Sequence, residues 1–185
     1  MKRVIINHTI TSLLFALFVV WFNILLGRLN LIGTEGAYLN GWMLIYVIFA
    51  APFFEEIIFR LGVFNLIHKI TKSPKISIIV SSVLFGLLHI IPGVDKAHIV
   101  QAVYAVICGM VLGFTYYESG KKINYTLIMH VVANIATLFI PAVVITNQAV
   151  GWISLIVIFV LMLFILDIII AKGVINFGKD AEKEN

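Results

Sequence analysis

The stretch from Gly41 to Ile67, GWMLIYVIFAAPFFEEIIFRLGVFNLI, decides how this chain folds. It is apolar over more than the roughly 20 residues that a helix needs to cross a bilayer. Three charged side chains, Glu55, Glu56 and Arg60, nevertheless lie inside it. Charges at membrane depth cost several kcal/mol unless they face a protein interior or a water-filled cavity. The stretch therefore predicts a membrane-spanning helix that carries a functional site.

The composition of the whole chain agrees with a membrane protein. Of the 185 residues, 62% are hydrophobic and only 12% are charged, whereas about a quarter of the residues in soluble domains are charged. We predict an all-α bundle of about six transmembrane helices, forming a single domain over residues 1–185 with a polar tail at 172–185. The six apolar segments are Ile5–Leu26, Gly41–Ile67, Ile76–Ile91, Ile99–Tyr117, Ile123–Val144 and Val150–Ala171.

The distribution of lysine and arginine predicts the orientation of the chain in the membrane. With six spans, both termini and two inner loops lie on the same side, which carries Lys2, Arg3, Lys69, Lys72, Lys75, Lys121, Lys122, Lys172, Lys179 and Lys183. The opposite side carries Arg28 and Lys96. Basic residues concentrate on the cytoplasmic side of membrane proteins. We therefore predict a multi-pass protein of the cell membrane with both termini in the cytoplasm, and we assign the net charge of +4 to orientation rather than to nucleic-acid binding.

Helical geometry separates the two adjacent carboxylates of the second segment. Glu56 and Arg60 are four residues apart, so they share one helix face with the acid before the base, the favourable order for an ion pair. Neighbouring residues on a helix are about 100° apart, so Glu55 points elsewhere. A salt bridge between helices would explain Glu56 and Arg60 without any chemistry, but it leaves Glu55 unexplained. We therefore expect Glu55 to be catalytic and the other two to be structural.

Two further polar sets interrupt later apolar segments. His89 ends the third segment's Phe85-Gly86-Leu87-Leu88-His89, and the fifth contains His130 and Asn134 at a spacing of four. Taken singly, each set is more typical of a buried hydrogen-bonding residue than of a catalytic one. At 1.5 Å per residue, however, all of these groups and Glu55 lie roughly 10–20 Å from the cytoplasmic end of their segments. Three helices therefore bring polar side chains to overlapping depths.

With these three sets, the chain resembles the CAAX prenyl protease and bacteriocin-processing family of intramembrane proteases, also called the Abi family. The motifs of that family are EExxxR, FxxxH and HxxxN or HxxxD. Here they are Glu55 to Arg60, Phe85 to His89, and His130 to Asn134. The resemblance covers about residues 51–139, within a family-like core of about 41–145. It implies a polytopic intramembrane endopeptidase that acts on a peptide or membrane-anchored protein substrate.

Peptide hydrolysis needs an activated water and donors for the oxyanion that forms. We expect Glu55 to act as the general base, with His89 orienting the water. His130 and Asn134 would then donate hydrogen bonds to the oxyanion. Glu56 and Arg60 would support the site. This scheme requires no cofactor.

A zinc metalloprotease is the rival mechanism. Two histidines and a glutamate are an adequate catalytic zinc set, and here they would be Glu55, His89 and His130. The HExxH spacing of soluble zinc proteases is absent from the sequence, so such ligands would have to converge from three helices. We favour the metal-free scheme, with zinc as the alternative.

Two non-proteolytic functions also remain open at the level of sequence. The chain could be a non-enzymatic bacteriocin-immunity or scaffolding protein that keeps the motif residues for structural reasons. It could also be a small transporter with a proton relay, although transporters are often built from repeats and we find none. The resemblance points to prenylated proteins as substrates in eukaryotes, and to bacteriocin or peptide processing and self-immunity in bacteria.

Overall fold

The computed structural model describes residues 2–28, 41–138 and 148–171. This part of the chain is helical, with six helices joined by short turns where the connection is described. The helices are α1 (Lys2–Arg28), α2 (Gly41–Thr71), α3 (Pro74–Leu88), α4 (Lys96–Glu118), α5 (Ile123–Leu138) and α6 (Gln148–Ala171). The predicted all-α fold is confirmed.

The second helix is continuous from Gly41 to Thr71 but changes its winding twice. Wide π-helical turns occupy Tyr46–Ala50 and Ile57–Phe64, on either side of an α-helical segment at Ala51–Glu56. Pro52 lies at the start of that segment. Proline has no backbone N–H and clashes with the carbonyl four residues earlier, so regular α-helical bonding is interrupted just before it. Such π turns inside longer helices are frequent at functional sites.

Helices α3 and α4 form a tight antiparallel hairpin because small residues face each other along it. A Cβ atom at Gly86 would collide with the Val106 side chain and lie 2.7 Å from the carbonyl oxygen of Ala102. A Cβ atom at Gly109 would lie 3.1 Å from the backbone of Ser82. Small residues are the usual means by which membrane helices approach closely.

The start of each hairpin helix is capped by a polar side chain. The Ser73 hydroxyl accepts a bond from the Ile76 N–H before α3, and Asp95 accepts one from the His98 N–H before α4. Such caps satisfy backbone donors that the first helical turn leaves unpaired.

Two apolar clusters hold the helices around a central space. One joins α1, α4 and α5 through Phe15, Val19, Cys108, Leu112, Met129 and Ala133. The other joins α2, α3 and α4 through Phe59, Phe85 and Ala105. Helix α6 packs on α1, where Trp21 Nε1 donates to the Leu155 carbonyl oxygen at 3.0 Å. Members of both clusters, such as Val19 and Phe85, line one internal cavity.

The outside of the molecule is more apolar than that of a soluble domain, and several polar side chains are buried. Fully buried side chains include Glu56, Arg60, Ser77, Ser81 and Ser82. Large apolar side chains cover the outside, with Trp42, Ile91 and Ile156 among the most exposed. Extensive exposed apolar surface of this kind marks contact with a membrane or a partner.

Helix lengths agree with the predicted segments but do not by themselves show six spans. Within the described residues, Gly41–Thr71 and Lys96–Glu118 are long and apolar enough to cross a membrane. Shorter apolar stretches lie at Leu13–Gly27, Pro74–Leu88, Ile123–Ala136 and Ala149–Met162. The third segment ends at Leu88 rather than Ile91, because residues 89–92 form turns. The polar tail predicted at 172–185 lies outside the described residues.

Candidate active site

The predicted ion pair between Glu56 and Arg60 is present and completely buried. Arg60 Nε lies 3.2 Å from Glu56 Oε2, and neither side chain has any exposed surface. The guanidinium carbon of Arg60 also lies 5.7 Å from the ring centre of Phe85. A buried cation gains from an opposite charge and from an aromatic face. The pair therefore ties α2 to the motif phenylalanine of α3.

His130 lies between the two glutamates. Its Nδ1 atom is 3.1 Å from Glu56 Oε1, a hydrogen-bonding distance, and its Nε2 atom is 3.4 Å from Glu55 Oε2. The second distance is too long for a strong hydrogen bond. Glu56 therefore accepts from Nδ1 and fixes the ring, while the opposite edge of the ring, with Nε2, faces Glu55.

The expected separation of the two carboxylates is visible in their exposure. Glu56 is fully buried, whereas the Glu55 side chain is 20% exposed. Glu55 lines a cavity, and Glu56 lies behind it with Arg60. One acid is thus available to a bound molecule and the other is not.

His89 lies immediately after the last residue of α3. Its Nδ1 atom donates to the carbonyl oxygen of Phe85 at 2.9 Å, and its ring packs edge-on against the Phe85 ring, with 4.9 Å between ring centres. A proton on Nδ1 leaves Nε2 of a neutral imidazole as a hydrogen-bond acceptor. His89 lines the same cavity as Glu55, so an acceptor is available there.

Asn134 connects α5 to the first π turn of α2. Its Nδ2 atom donates to the carbonyl oxygen of Val47 at 2.8 Å. A carboxamide has two N–H groups and one oxygen, so one N–H and the oxygen are not used by this bond. The Asn134 side chain also lines the cavity. The residue can therefore hold the π turn and still present a donor to a bound molecule.

These side chains surround one cavity of about 560 Å³ between α1, α2, α3, α4 and α5. Glu55, His89, His130 and Asn134, predicted from three separate motifs, all line it. Glu56 and Arg60 lie outside its lining and support it from behind. The remainder of the wall is largely apolar, with residues such as Phe15, Val19, Ala105, Cys108 and Leu112. Apolar cavities with a few convergent polar groups are typical of ligand sites.

Two groups in the site were not predicted from the sequence. The buried hydroxyl of Thr126 neighbours the Glu56 carboxylate, and the Val47 carbonyl receives Asn134. Thr126 lies four residues before His130, so helical spacing could have placed it on the same face of α5. A backbone carbonyl has no sequence signal, and the π turn that presents it was not predicted.

The three candidate zinc ligands are not arranged as a metal site in this structure. Within the described residues, no three histidine, cysteine, aspartate or glutamate side chains are grouped closely enough to hold one ion. Glu55 Oε2 and His130 Nε2 lie 3.4 Å apart, but His89 does not complete a three-ligand group with them. The residues as placed do not fit a three-ligand zinc centre, and we derive no step through a metal.

Comparison with known protein families gives one match. The family described as type II CAAX prenyl endopeptidase Rce1-like matches residues 37–136, which is more than half of the chain. The matched region contains all six predicted site residues and confirms the resemblance found from the motifs. No curated protein and no solved structure matches the chain.

Proposed function

Because the chain belongs to the Rce1-like type II CAAX prenyl endopeptidase family, which consists of membrane-embedded proteases, we propose that it cleaves a peptide bond in a membrane-associated protein or peptide. In this proposal Glu55 activates the attacking water. The observation that carries it is the different placement of the adjacent acids, with Glu55 in the cavity wall and Glu56 buried behind it. A purely structural role would explain Glu56, but it would not explain a carboxylate left facing an apolar cavity.

The proposed reaction begins with a water molecule between Glu55 and His89. Glu55 takes a proton from the water, and the water oxygen bonds to the substrate carbonyl carbon. His89 orients the water through its Nε2 acceptor. The carbonyl oxygen becomes negative and receives hydrogen bonds from the second N–H of Asn134 and from the Nε2–H of His130. This step uses His130 protonated on both ring nitrogens, with its Nδ1–H donating to Glu56. When the C–N bond breaks, Glu55 returns the proton to the amine nitrogen.

In this scheme the buried residues position the others. Glu56 holds Nδ1 of His130 at 3.1 Å and thereby sets the direction of the Nε2 edge. Arg60 balances the charge of Glu56 from the other side. Groups that orient a donor before reaction reduce the reorganisation needed in the transition state.

The replacement Glu55→Gln tests this function most directly. It keeps the size of the side chain but removes the base, so cleavage should fall by about 10²–10⁴-fold. Suitable probes are a fluorogenic CAAX peptide with a prenylated cysteine and the same peptide without the lipid. Glu118→Gln, an exposed acid at the end of α4, is the matched control and should retain full activity. Cleavage that survives Glu55→Gln would exclude the glutamate scheme.

Metal content separates this scheme from the zinc alternative. A metal-free enzyme should retain its activity after treatment with a chelator and dialysis, and the purified protein should contain less than stoichiometric zinc. Loss of cleavage on chelation with recovery on adding Zn²⁺ would support the alternative set Glu55, His89 and His130. The same assays bear on the non-enzymatic immunity alternative, which predicts no cleavage of either probe by the unmodified protein.

We also propose the six-span topology with both termini in the cytoplasm. It is supported by six helices at the six apolar segments and by the lysine-rich loops at 69–75 and 121–122. Helix α3 has 15 residues, which is about 22 Å and shorter than a hydrocarbon core of about 30 Å. Accessibility of single cysteines introduced at Lys72 and Lys96 to a membrane-impermeant reagent would place these loops on opposite sides.

A further inference from the structure

Gln101 is a polar residue of the cavity that takes no part in the mechanism above. It lies in the second turn of α4, and it lines the cavity together with Tyr104, Ala105 and Cys108 from the same helix. Spacings of three and four residues place these side chains on one helix face. That face is polar at Gln101 and becomes apolar further along α4.

The packing of the hairpin brings Gln101 to the level of His89 along α3 and α4. Gly109 faces Ser82 and Gly113 faces Ile78. The two helices are antiparallel, so moving four residues forward along α4 corresponds to moving four residues backward along α3. Continued towards the turn, this register brings His89 level with Ala102, one residue from Gln101. The contact between Phe85 and Ala105 supports this register. His89 lies four residues after Phe85, and Gln101 lies four residues before Ala105, so both lie towards the α3–α4 turn. The carboxamide is therefore near the water-activating part of the site.

Gln101 differs from the other two carboxamides of the cavity wall, those of Asn23 and Asn134, in having no hydrogen-bond partner among the described residues. Asn134 donates to Val47, and Asn23 donates to the Val19 carbonyl and to the Tyr104 hydroxyl at 2.8 and 3.4 Å. These hydrogen bonds give the other two carboxamides a structural role, because they join residues within one helix or on two neighbouring helices. The structure gives no such reason for Gln101, whose side chain is exposed towards the cavity.

A substrate peptide in this cavity needs hydrogen-bond partners for its backbone. Away from bulk water, each unpaired N–H or C=O group costs several kcal/mol. A carboxamide carries one acceptor and two donors, so it can accept from a peptide N–H and donate to a peptide C=O. The apolar wall formed by Ala105, Cys108 and Leu112 offers no side chain that could do the same.

We infer that Gln101 is a substrate-binding residue whose carboxamide pairs with the backbone N–H and C=O of one residue of the peptide next to the cleavage site. The inference rests on the proposed peptidase function but concerns binding rather than the chemical step. Hydrogen bonds to the backbone hold an extended substrate segment in a fixed position whatever its side chains are. Gln101 therefore positions the scissile carbonyl, while the apolar wall accepts the hydrophobic part of the substrate.

Binding in a protein that cannot cleave tests this inference. In the Glu55→Gln background, Gln101→Met keeps the length of the side chain and removes its hydrogen-bonding groups. The dissociation constant of a CAAX peptide should rise by about 10-fold, as expected for two neutral hydrogen bonds. The matched control is Val103→Met, which adds the same side chain at an exposed position that does not line the cavity.

Peptides with one amide replaced by an ester identify the backbone group. An ester lacks the N–H donor, so at one position it should weaken binding to the Gln101 protein and have little further effect on Gln101→Met. The pattern should be the same for prenylated and unprenylated peptides. A constant ester effect in both proteins, or no change in affinity with Gln101→Met, would overturn the inference.

A kinetic comparison distinguishes this inference from the proposed function. With Glu55 intact, Gln101→Met should raise KM by about 10-fold and change kcat by less than about 3-fold, because the binding is lost equally in the ground and transition states. If Glu55→Gln still cleaves but Gln101→Met weakens binding, the glutamate mechanism fails and the inference stands. If neither peptide binds to the Glu55→Gln protein, the inference is wrong.

Discussion

The carboxylate of Glu56 accepts a hydrogen bond from the imidazole of His130 at 3.1 Å, joining the first motif of the chain to the third across 74 residues. The sequence predicts that Glu56 pairs with Arg60 and supports the site. In the structure the same carboxylate also orients a histidine that faces the cavity. The supporting pair and His130, one of the two predicted oxyanion donors, are therefore connected.

Removal of one member of the buried ion pair should destabilise the protein more than removal of both. Arg60→Met leaves the Glu56 carboxylate buried beside its remaining partners, and we expect a loss of about 3–5 kcal/mol. The double replacement Glu56→Leu with Arg60→Met should recover part of this loss, because no unpaired charge remains. Unfolding in detergent micelles measures both effects. Lys69→Met, an exposed cation of α2, is the control and should change stability by less than about 0.5 kcal/mol.

The two histidines should differ in their effect on stability but not on activity. His130→Ala deprives buried Glu56 of a hydrogen bond, at a cost of about 1–3 kcal/mol. His89→Ala removes a bond to a carbonyl within its own hairpin and should cost less. Both replacements should reduce cleavage by about 10²-fold or more. Equal losses of stability, measured by thermal unfolding alongside the peptide assay, would contradict the assigned positions.

Asn134 should control the order of the first π turn of α2. Asn134→Leu removes the donor to the Val47 carbonyl, which should accelerate hydrogen exchange at Tyr46–Ala50. Asn134→Asp, when ionised, places a second acceptor against that carbonyl and should accelerate it further. Mass spectrometry of deuterium uptake provides the measurement. Asn124→Leu, at an exposed position of the same helix, should leave exchange in this turn unchanged.

The α3–α4 hairpin should not tolerate a methyl group at Gly86. Gly86→Ala drives Cβ into Val106 and the Ala102 carbonyl, so we expect a loss of about 1–3 kcal/mol. Gly62→Ala is the matched helical control, because its Cβ would meet only an ordinary contact at 3.7 Å. That change should be neutral or stabilising by up to about 1 kcal/mol. Similar behaviour of the two variants in thermal unfolding would refute the close approach of the helices.

Several features could be predicted because they depend on local geometry. The ion pair between Glu56 and Arg60 follows from a spacing of four residues in a helix, and the structure confirms it. The six helices lie at the six apolar segments because each segment must bury its backbone polar groups within itself. The different surroundings of Glu55 and Glu56 follow from the 100° rotation between neighbours.

Other features depend on how the helices pack. The proximity of His130 to both glutamates joins α5 to α2, and no spacing within either helix specifies that contact. The presence of both Gln101 and His89 in the wall of one cavity depends on the register of α3 against α4, and the glycines of this hairpin have their close neighbours on the other helix. The π turns of α2 depend on a balance between backbone bonding and neighbouring side chains, so the apolar pattern alone did not predict them.

The sequence by itself determined the kinds of element and the polar groups that each one carries. The length of an apolar segment and its helical period are properties of that segment alone, so they can be predicted from the sequence. Only the tertiary structure decided which faces of those segments meet, and hence that one glutamate lines the cavity while its neighbour holds a histidine. The physical reason is that helix-to-helix contacts between residues distant in sequence depend on the shapes of both surfaces, which no single segment contains.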